Sequence, residues 1–261
     1  MCDTGMYAGM SSTDRLTLIT RALRESERLS VTELAALTGA SEMTIRRDLE
    51  HLAEQGVLER YRGGARSLVL RGEGPPFGLR VREGLDVKER IAAEVAGQIA
   101  DGESVLIDSG TTCLEVAKAL RDRPLTALPL SLHAANVLAG APTLKLLLPG
   151  GEPRPGELAV TGPLAEASLA ALRFDTAVIG CCGLTPGDGL TAYDLADAAI
   201  KRAAMASARR VIAVADAAKL SRTALAFVAA ATALDVVVTD TAAPDEAVDA
   251  LTAAGVVVRR V

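Results

Sequence analysis

Two adjacent arginines, Arg46 and Arg47, end a short polar segment whose chemistry suits a nucleic acid. Arginine can bridge a guanine edge or hold a phosphate, and serine and threonine hydroxyls can bond either group. Three more polar residues of this segment lie off its apolar positions: Ser41, Glu42 and Thr44. For an isolated arginine pair, a solvated helix face paired with Glu42 and Glu50 is the simpler interpretation.

Three further arginines follow in the next segment: Arg60, Arg62 and Arg66. Residues 60–71 contain no acid, so this stretch is basic although the whole chain has a formal net charge of -5 and a pI of about 5.2. Because a chain-wide positive field is absent, any nucleic acid must be held by such a local face. We expect these arginines, with the pair at 46 and 47, to contact double-stranded DNA.

A second run of residues that could bind a ligand lies where a predicted strand passes into a helix. It reads Asp108, Ser109, Gly110, Thr111 and Thr112. Glycine lets the backbone approach a ligand, the hydroxyls add donors, and the helix N-terminus attracts an anion such as a phosphate. The same run is also a common helix cap, so the residues alone leave both interpretations open.

Other candidate ligand-binding residues lie near later predicted strands. Gly150 and Gly151 follow one strand, Asp175 begins another, and Lys219 directly follows a third, while Lys201 lies in a helical stretch among small and apolar residues. In open α/β sheets ligands gather where strands end, and lysine can reach a phosphate as a point charge. The glycines equally predict a turn, Asp175 equally predicts a structural cap, and a lone lysine is usually solvated.

Caps and periodicity predict three helices around the first arginine pair. Residues 13–26 have apolar residues at helical spacing, and Ser30 with Glu33 forms a capping box for a second helix. Gly39 then provides a tight turn, and Ser41 caps a third helix.

The predicted buried positions of the second and third helices are Leu34, Leu37, Met43, Ile45, Leu49 and Leu52. A short strand at 57–61 and a turn at Gly63-Gly64 add a hairpin. This order of capping box, turn, capped helix and basic hairpin favours DNA contact over the solvated alternative. Residues 11–66 are therefore predicted to form a winged helix-turn-helix.

Residues 67–84 are rich in glycine, proline and charge and predict a linker. Beyond them, predicted strands alternate with alanine-rich helical stretches: residues 104–107, 125–130, 144–148, 176–179, 210–215 and 236–238. This alternation predicts an α/β domain with a mainly parallel sheet over residues 85–261, although some runs could be buried helices. Pro129 cannot donate a ladder hydrogen bond, so its strand is predicted to lie at an edge of the sheet or to contain a bulge.

Composition narrows the class of protein. The 261 residues are 49% hydrophobic, enough for two domains or one compact domain. No basic signal sequence and no run near the roughly 20 apolar residues of a membrane span is visible, so we expect a cytoplasmic protein with no membrane contact. The chain has four cysteines and two histidines without ligand spacing, so we expect no metal site, no cofactor and no disulfide framework.

Several stretches resemble the DeoR family of bacterial transcriptional regulators. They are Val31-Thr32-Glu33-Leu34-Ala35, Thr44-Ile45-Arg46-Arg47-Asp48-Leu49 and Arg60-Tyr61-Arg62-Gly63-Gly64-Ala65. The resemblance extends over residues 14–261 and includes the run at 108–112 and the Asp-x-x-Lys that ends at Lys219. It implies an α/β sensor domain similar in fold to ribose-phosphate isomerases and CoA transferases, preceded by the winged helix-turn-helix.

The resemblance also implies a function. We expect a repressor of sugar or carbohydrate catabolism genes that binds operator DNA as a dimer or tetramer and is controlled by a phosphorylated sugar. An activator would have the same sequence features.

Two alternatives carry different predictions. A sugar-phosphate isomerase with a DNA-binding domain would need paired carboxylates, but the loop Gly180-Cys181-Cys182-Gly183 has none, so we expect no enzyme activity. A second domain that serves only oligomerisation is the other alternative, because Ala127-Leu128-Pro129-Leu130-Ser131 lacks a Thr-Asn pair that is usual in the family.

Overall fold

The computed structural model describes residues 11–26, 28–54, 58–67 and 77–261. The chain divides into two compact units, one ending at Glu83 and the other beginning at Gly84. Residue 57 of the predicted first strand and residues 68–76 of the predicted linker lie outside the described residues. None of the described helices has the length and apolar character needed to cross a membrane.

The first unit is a winged helix-turn-helix, as predicted. Its helices are α1 (Ser12–Ser26), α2 (Val31–Thr38) and α3 (Glu42–Glu54), and its strands are β1 (Arg28–Ser30), β2 (Leu58–Tyr61) and β3 (Gly64–Ser67). The strands form an antiparallel sheet in the order β1-β3-β2. The capping box is present, since the Ser30 hydroxyl accepts from Glu33 N at 3.2 Å and the Glu33 carboxylate accepts from Ser30 N at 2.7 Å. Strand β1 was not predicted, because three residues are too few to show alternation.

The core of the first unit differs from the prediction at two positions. Leu37 is 38% exposed and Met43 is 60% exposed, so the expectation that both face inward is wrong. In α2 the buried stripe runs through Val31, Leu34 and Thr38, and in α3 it begins at Ile45. Met43 lies two residues before Ile45, which turns its side chain to the opposite side of the helix.

Part of the predicted linker is regular structure. The short helix α4 (Phe77–Arg80) lies within residues 67–84, and Leu79 is buried in the core of the first unit together with leucines of α1 and α3. The Arg80 guanidinium stacks over the Phe77 ring at 5.9 Å from its centre. The expectation of an irregular segment is therefore wrong for residues 77–80, where two apolar side chains find a buried surface.

The second unit is built on a seven-stranded sheet whose pairings are all parallel. Its strands are β4 (Ser104–Ile107), β5 (Thr126–Pro129), β6 (Lys145–Leu146), β9 (Phe174–Gly180), β12 (Ala208–Val214), β14 (Val236–Thr239) and β15 (Val257–Arg260). Their order is β15-β14-β12-β9-β4-β5-β6. The six predicted strands and the parallel arrangement are confirmed, and none of the six runs is a buried helix.

The remaining elements cover or extend this sheet. The helices are α5 (Leu85–Gly97), α6 (Thr111–Leu120), α7 (Leu132–Leu138), α8 (Pro163–Ala170), α9 (Leu195–Ala206) and α10 (Asp245–Ala253). Two small antiparallel sheets contain β7 (Glu152–Pro153) with β8 (Val160–Thr161), and β10 (Gly183–Thr185), β11 (Gly189–Ala192) and β13 (Ala226–Ala229). Buried side chains of the strands pack on α8 and α9 to form the main core.

Strand β5 is neither an edge strand nor bulged, contrary to the expectation from Pro129. Thr126 N donates to Glu103 O at 3.0 Å and Leu130 N donates to Ile107 O at 2.8 Å, so the even-numbered amides of β5 face β4. Pro129, which has no N–H, faces the other side. Strand β6 pairs only with Thr126 and Ala127, so it ends before Pro129 and no ladder bond is lost.

Candidate nucleic-acid interface and ligand site

The start of α3 is an exposed polar turn held by a serine cap. The Ser41 hydroxyl accepts from Thr44 N at 3.2 Å and lies 2.9 Å from the Thr44 hydroxyl. Gly39 ends α2 with a φ of 70°, a conformation that favours glycine and allows the tight turn before α3. Arg46 and Arg47 are both exposed one turn further along the helix.

An internal ion pair between α1 and α3 was missed by the sequence reasoning. Arg15 donates two bonds to Asp48, from Nε at 2.6 Å and from Nη2 at 3.2 Å, and both side chains are nearly buried. Asp48 lies three residues after Ile45 and four before Leu52, on the buried stripe of α3. That spacing could have shown that Asp48 needs a buried cation. The two-bond geometry fixes the orientation of α3 relative to α1.

Three of the predicted DNA-contacting arginines bind glutamates of the same unit. The contacts run from Arg46 Nη2 to Glu42 at 2.9 Å, from Arg60 Nη1 to Glu50 at 3.3 Å, and from Arg66 Nε to Glu59 at 2.8 Å. Within the described residues, Arg47 and Arg62 have no carboxylate within ion-pairing distance. The paired interpretation of the Arg46 side chain is thus correct in this structure, and Glu50 reaches the hairpin instead of the arginine pair.

In the second unit, the run at 108–112 lies at the carboxyl end of β4. Gly110 has a φ of 103° and precedes α6, whose first turn receives no side-chain cap. Ser109, Gly110 and Thr112 are partly exposed, whereas Thr111 is buried. Uncapped amides at a helix N-terminus, beside two accessible hydroxyls, can hold an anion.

Asp108 and Lys201 lie beneath this loop and do not reach its surface. Asp108 is fully buried and accepts from Ser109 N at 2.7 Å, from Gly180 N at 3.0 Å and from the Lys201 ammonium. Lys201 is 3% exposed, and its ammonium also lies 3.4 Å from Asp197. The expectation that Asp108 and Lys201 touch a ligand therefore needs correction, because both are buried and bound to each other.

The charge state of this cluster follows from its partners. Burial lowers the pKa of Lys201, but Asp108 and Asp197 outweigh that effect and raise its pKa well above the usual value. The lysine is therefore a buried cation that ties the loop after β4 to the helix α9.

The exit of the central strand β9 brings two cysteines and Lys219 to the same edge. Burial, followed by the influence of Cys182, raises the pKa of Cys181 to about 12, and burial raises that of Cys182 to about 11. Lys219 follows β12, the parallel neighbour of β9, and its positive charge lowers both pKa values. Lys219 ends a one-turn 3-10 helix after β12 and is partly exposed. Because β4, β9 and β12 are adjacent and parallel, Lys219 and the loop at 109–112 share one edge of the sheet.

Asp175 lies at the opposite end of the sheet. Its carboxylate accepts from Ser104 N at 2.9 Å and from the Ser104 hydroxyl at 2.7 Å. These bonds lower the pKa of Asp175, and Arg209 lowers it further from 3.6 Å. Asp175 therefore joins the starts of β4 and β9, and the structural interpretation of this residue replaces the ligand-binding one.

The glycines at 150 and 151 have a packing role. Gly151 has a φ of 126°, and a Cβ there would lie 2.6 Å from the Thr161 carbonyl oxygen. Gly150 N donates to the Ser168 hydroxyl at 3.1 Å. The turn interpretation accounts for both residues, since they let this loop approach β8 and α8.

Two further arginines, near the start of α9, were missed by the sequence reasoning. Arg154 donates to Asp194, which itself caps α9 by accepting from Asp197 N at 2.8 Å. Arg222 donates to the Tyr193 hydroxyl at 3.3 Å. Single arginines in loops have no distinguishing spacing, so only the fold reveals their neighbours.

Comparisons with known proteins cover most of the chain. Residues 15–69 match the model of the DeoR-like helix-turn-helix domain, and residues 84–241 match that of the DeoR C terminal sensor domain. The glycerol-3-phosphate regulon repressor of Escherichia coli K12 is 32% identical over 93% of this chain and 96% of its own. The transcriptional repressor AccR of Agrobacterium fabrum is 34% identical over 88% and 90%. Ribose 5-phosphate isomerase A of Methanocaldococcus jannaschii aligns over 53% of this chain and 55% of its own, with a TM-score of 0.40 and 15% identity.

Proposed function

Since the chain belongs to the DeoR family of transcriptional regulators, we propose that it represses sugar-related genes and that a phosphorylated sugar relieves the repression. Its curated relatives include several named repressors, and the chain is a regulator and not an enzyme. We assign DNA binding to residues 11–66 together with α4, and sensing and oligomerisation to residues 85–261. In this proposal the protein is cytoplasmic. It acts as a dimer or tetramer, because two-fold symmetric operators match symmetric oligomers.

The DNA-binding part of the proposal rests on α3. A serine-capped helix that follows a tight turn presents Arg46 and Arg47 on its exposed side, and the β2–β3 hairpin carries Arg60, Arg62 and Arg66 beside it. A helix in this position enters the major groove, and a basic wing holds the phosphate backbone. The Arg15–Asp48 pair holds the helix in the orientation that such docking needs.

The observation that carries the sensing part is the shared edge of β4, β9 and β12. Glycine, two accessible hydroxyls and uncapped helix amides at 109–112 lie at the same edge as Lys219. These groups favour a compact anion. Phosphate is such an anion, and one relative is named for a phosphorylated compound, glycerol 3-phosphate. Asp108 and Lys201 support the loop from beneath.

A thermal-shift experiment tests the sensing site. Glycerol phosphate and hexose phosphates are compared with the unphosphorylated compounds, on wild type, Lys219→Ala and the control Lys145→Ala at an exposed position of β6. We expect a phosphorylated compound to stabilise wild type and the control, and to bind Lys219→Ala at least about tenfold more weakly, because a charged hydrogen bond is lost. Equal stabilisation of wild type and Lys219→Ala by an unphosphorylated sugar would refute the phosphate site.

Linkage gives a second test with the same proteins. If the compound lowers operator affinity by some factor, the operator must lower the affinity for the compound by the same factor. Operator DNA selected by wild type from a random-sequence pool serves as the probe, with fluorescence anisotropy as the readout. A compound that stabilises the protein but leaves operator affinity unchanged would show that it is not the effector.

A further inference from the structure

In the first unit, glutamates of the unit itself form ion pairs with the arginines that are predicted to contact DNA. Residues 42–67 contain five arginines and five acids, so the segment that would meet DNA carries no net charge. Asp48 is used by Arg15 of α1, whereas Glu42, Glu50 and Glu59 each bind an arginine predicted to contact DNA. The basic hairpin is therefore largely neutralised in the free protein.

The geometry of these pairs resembles that of a phosphate contact. Arg60 offers Nη1 to Glu50, and Arg66 offers Nε to Glu59, which are the same N–H groups that would hold a phosphate oxygen. All four side chains are about half exposed, and such pairs are weak because water screens them. An exchange of carboxylate for phosphate is thus possible, but it leaves a negative carboxylate close to the DNA backbone.

On the basis of the proposed DNA-binding function, we propose that Glu50 and Glu59 compete with DNA phosphates for Arg60 and Arg66 and so lower the affinity of the protein for DNA of any sequence. This competition does not affect Arg47 and Arg62, since neither has a carboxylate partner among the described residues. The sequence-independent attraction to DNA is then carried mainly by these two arginines, and the glutamates limit the time the protein spends on non-operator DNA.

The test uses the full chain with Glu50→Gln and Glu59→Gln combined. Its control combines Glu89→Gln and Glu152→Gln, which remove the same charge from exposed positions of the second unit. Binding to a mixed-sequence duplex is followed by fluorescence anisotropy across a salt series. We expect the first variant to bind about four- to twentyfold more tightly at low salt, with a plot of log K against log salt steeper by about one to two units. The control should change by less than about twofold, because screening removes distant charges.

A second comparison does not depend on the glutamate variants. Arg47→Ala and Arg62→Ala should each flatten the salt dependence by about one unit. Arg60→Ala and Arg66→Ala should change it less, because Glu50 and Glu59 already neutralise these two arginines in wild type. Equal slopes for all four variants would overturn the competition.

The remaining outcomes separate this inference from the proposed function. If wild type prefers the selected operator but the Glu50→Gln and Glu59→Gln protein binds the mixed duplex with unchanged or lower affinity, the competition is wrong and DNA binding stands. If wild type binds neither duplex at any salt, the DNA-binding function itself fails.

Discussion

Replacing Lys201 with methionine should destabilise the second unit by about 3–5 kcal/mol, since the change leaves the buried carboxylates of Asp108 and Asp197 without their cation. Burial raises the pKa of Asp108, and Lys201 is the strongest influence that lowers it. Without the lysine the folded-state pKa of Asp108 rises further above its unfolded value. A raised folded pKa means that stability is lost as pH rises through it, so the deficit of the variant should shrink as pH falls from about 7 towards 5.

Urea unfolding followed by circular dichroism measures the effect, read from the transition of the second unit. The control is Arg209→Met, which removes an ion pair with Asp175 at the other end of the same sheet, where the arginine is 83% exposed. We expect the control to lose less than about 1 kcal/mol. The combined Lys201→Met and Asp108→Asn protein should regain part of the loss, because one unpaired charge is removed.

Two results would refute this reasoning. A Lys201→Met protein as stable as Arg209→Met would mean that water or a rearranged side chain solvates Asp108. A deficit that does not depend on pH would mean that lost packing around the lysine stem, and not charge, is responsible.

Two other predictions concern the same edge of the sheet. Cys182 has a pKa near 11 against an ordinary 9.0, so its thiolate population at neutral pH falls about 100-fold, and the pKa of Cys181 is raised as well. Alkylation followed by peptide mass spectrometry should therefore show slow labelling of Cys181 and Cys182 until the protein is unfolded, and labelling at the unfolded rate would contradict the raised pKa values. Gly151→Ala should lower the free energy of unfolding by about 1–3 kcal/mol, because its Cβ would meet the Thr161 carbonyl oxygen. The control Gly156→Ala, where φ is 78° and the space is open, should lower it by about 1 kcal/mol. Equal losses in urea unfolding would refute the steric argument.

Local signals predicted much of this fold. Caps and turns such as the Ser30–Glu33 box depend on residues three or four apart, and the six parallel strands appear as continuous apolar runs because both faces of the sheet are covered. Leu37 and Met43 are apolar but lie off the buried stripes of α2 and α3, so their residue type alone predicted the wrong environment. Three of the four residues of strand β15 are exposed and the strand ends in Arg259 and Arg260, which weakens the same signal.

The candidate ligand site was predicted less completely. The loop at 109–112 and Lys219 share one sheet edge because their strands are adjacent, and that order is not written in any local pattern. Asp108 and Lys201 are 93 residues apart and meet only because β4 and α9 pack together. The sequence marks both as chemically notable, but only the fold separates residues that support the loop from those on its surface.

Helix α4 determines where the DNA-binding unit can be cut. Leu79 is 4% exposed and fills the core formed by α1 and α3, although it lies ten residues beyond the end of the matched helix-turn-helix region. A fragment ending near residue 69 would leave that cavity open to water, at a cost of about 2–5 kcal/mol by analogy with a buried leucine lost. A stable isolated fragment for crystallography or NMR therefore has to extend through Arg80.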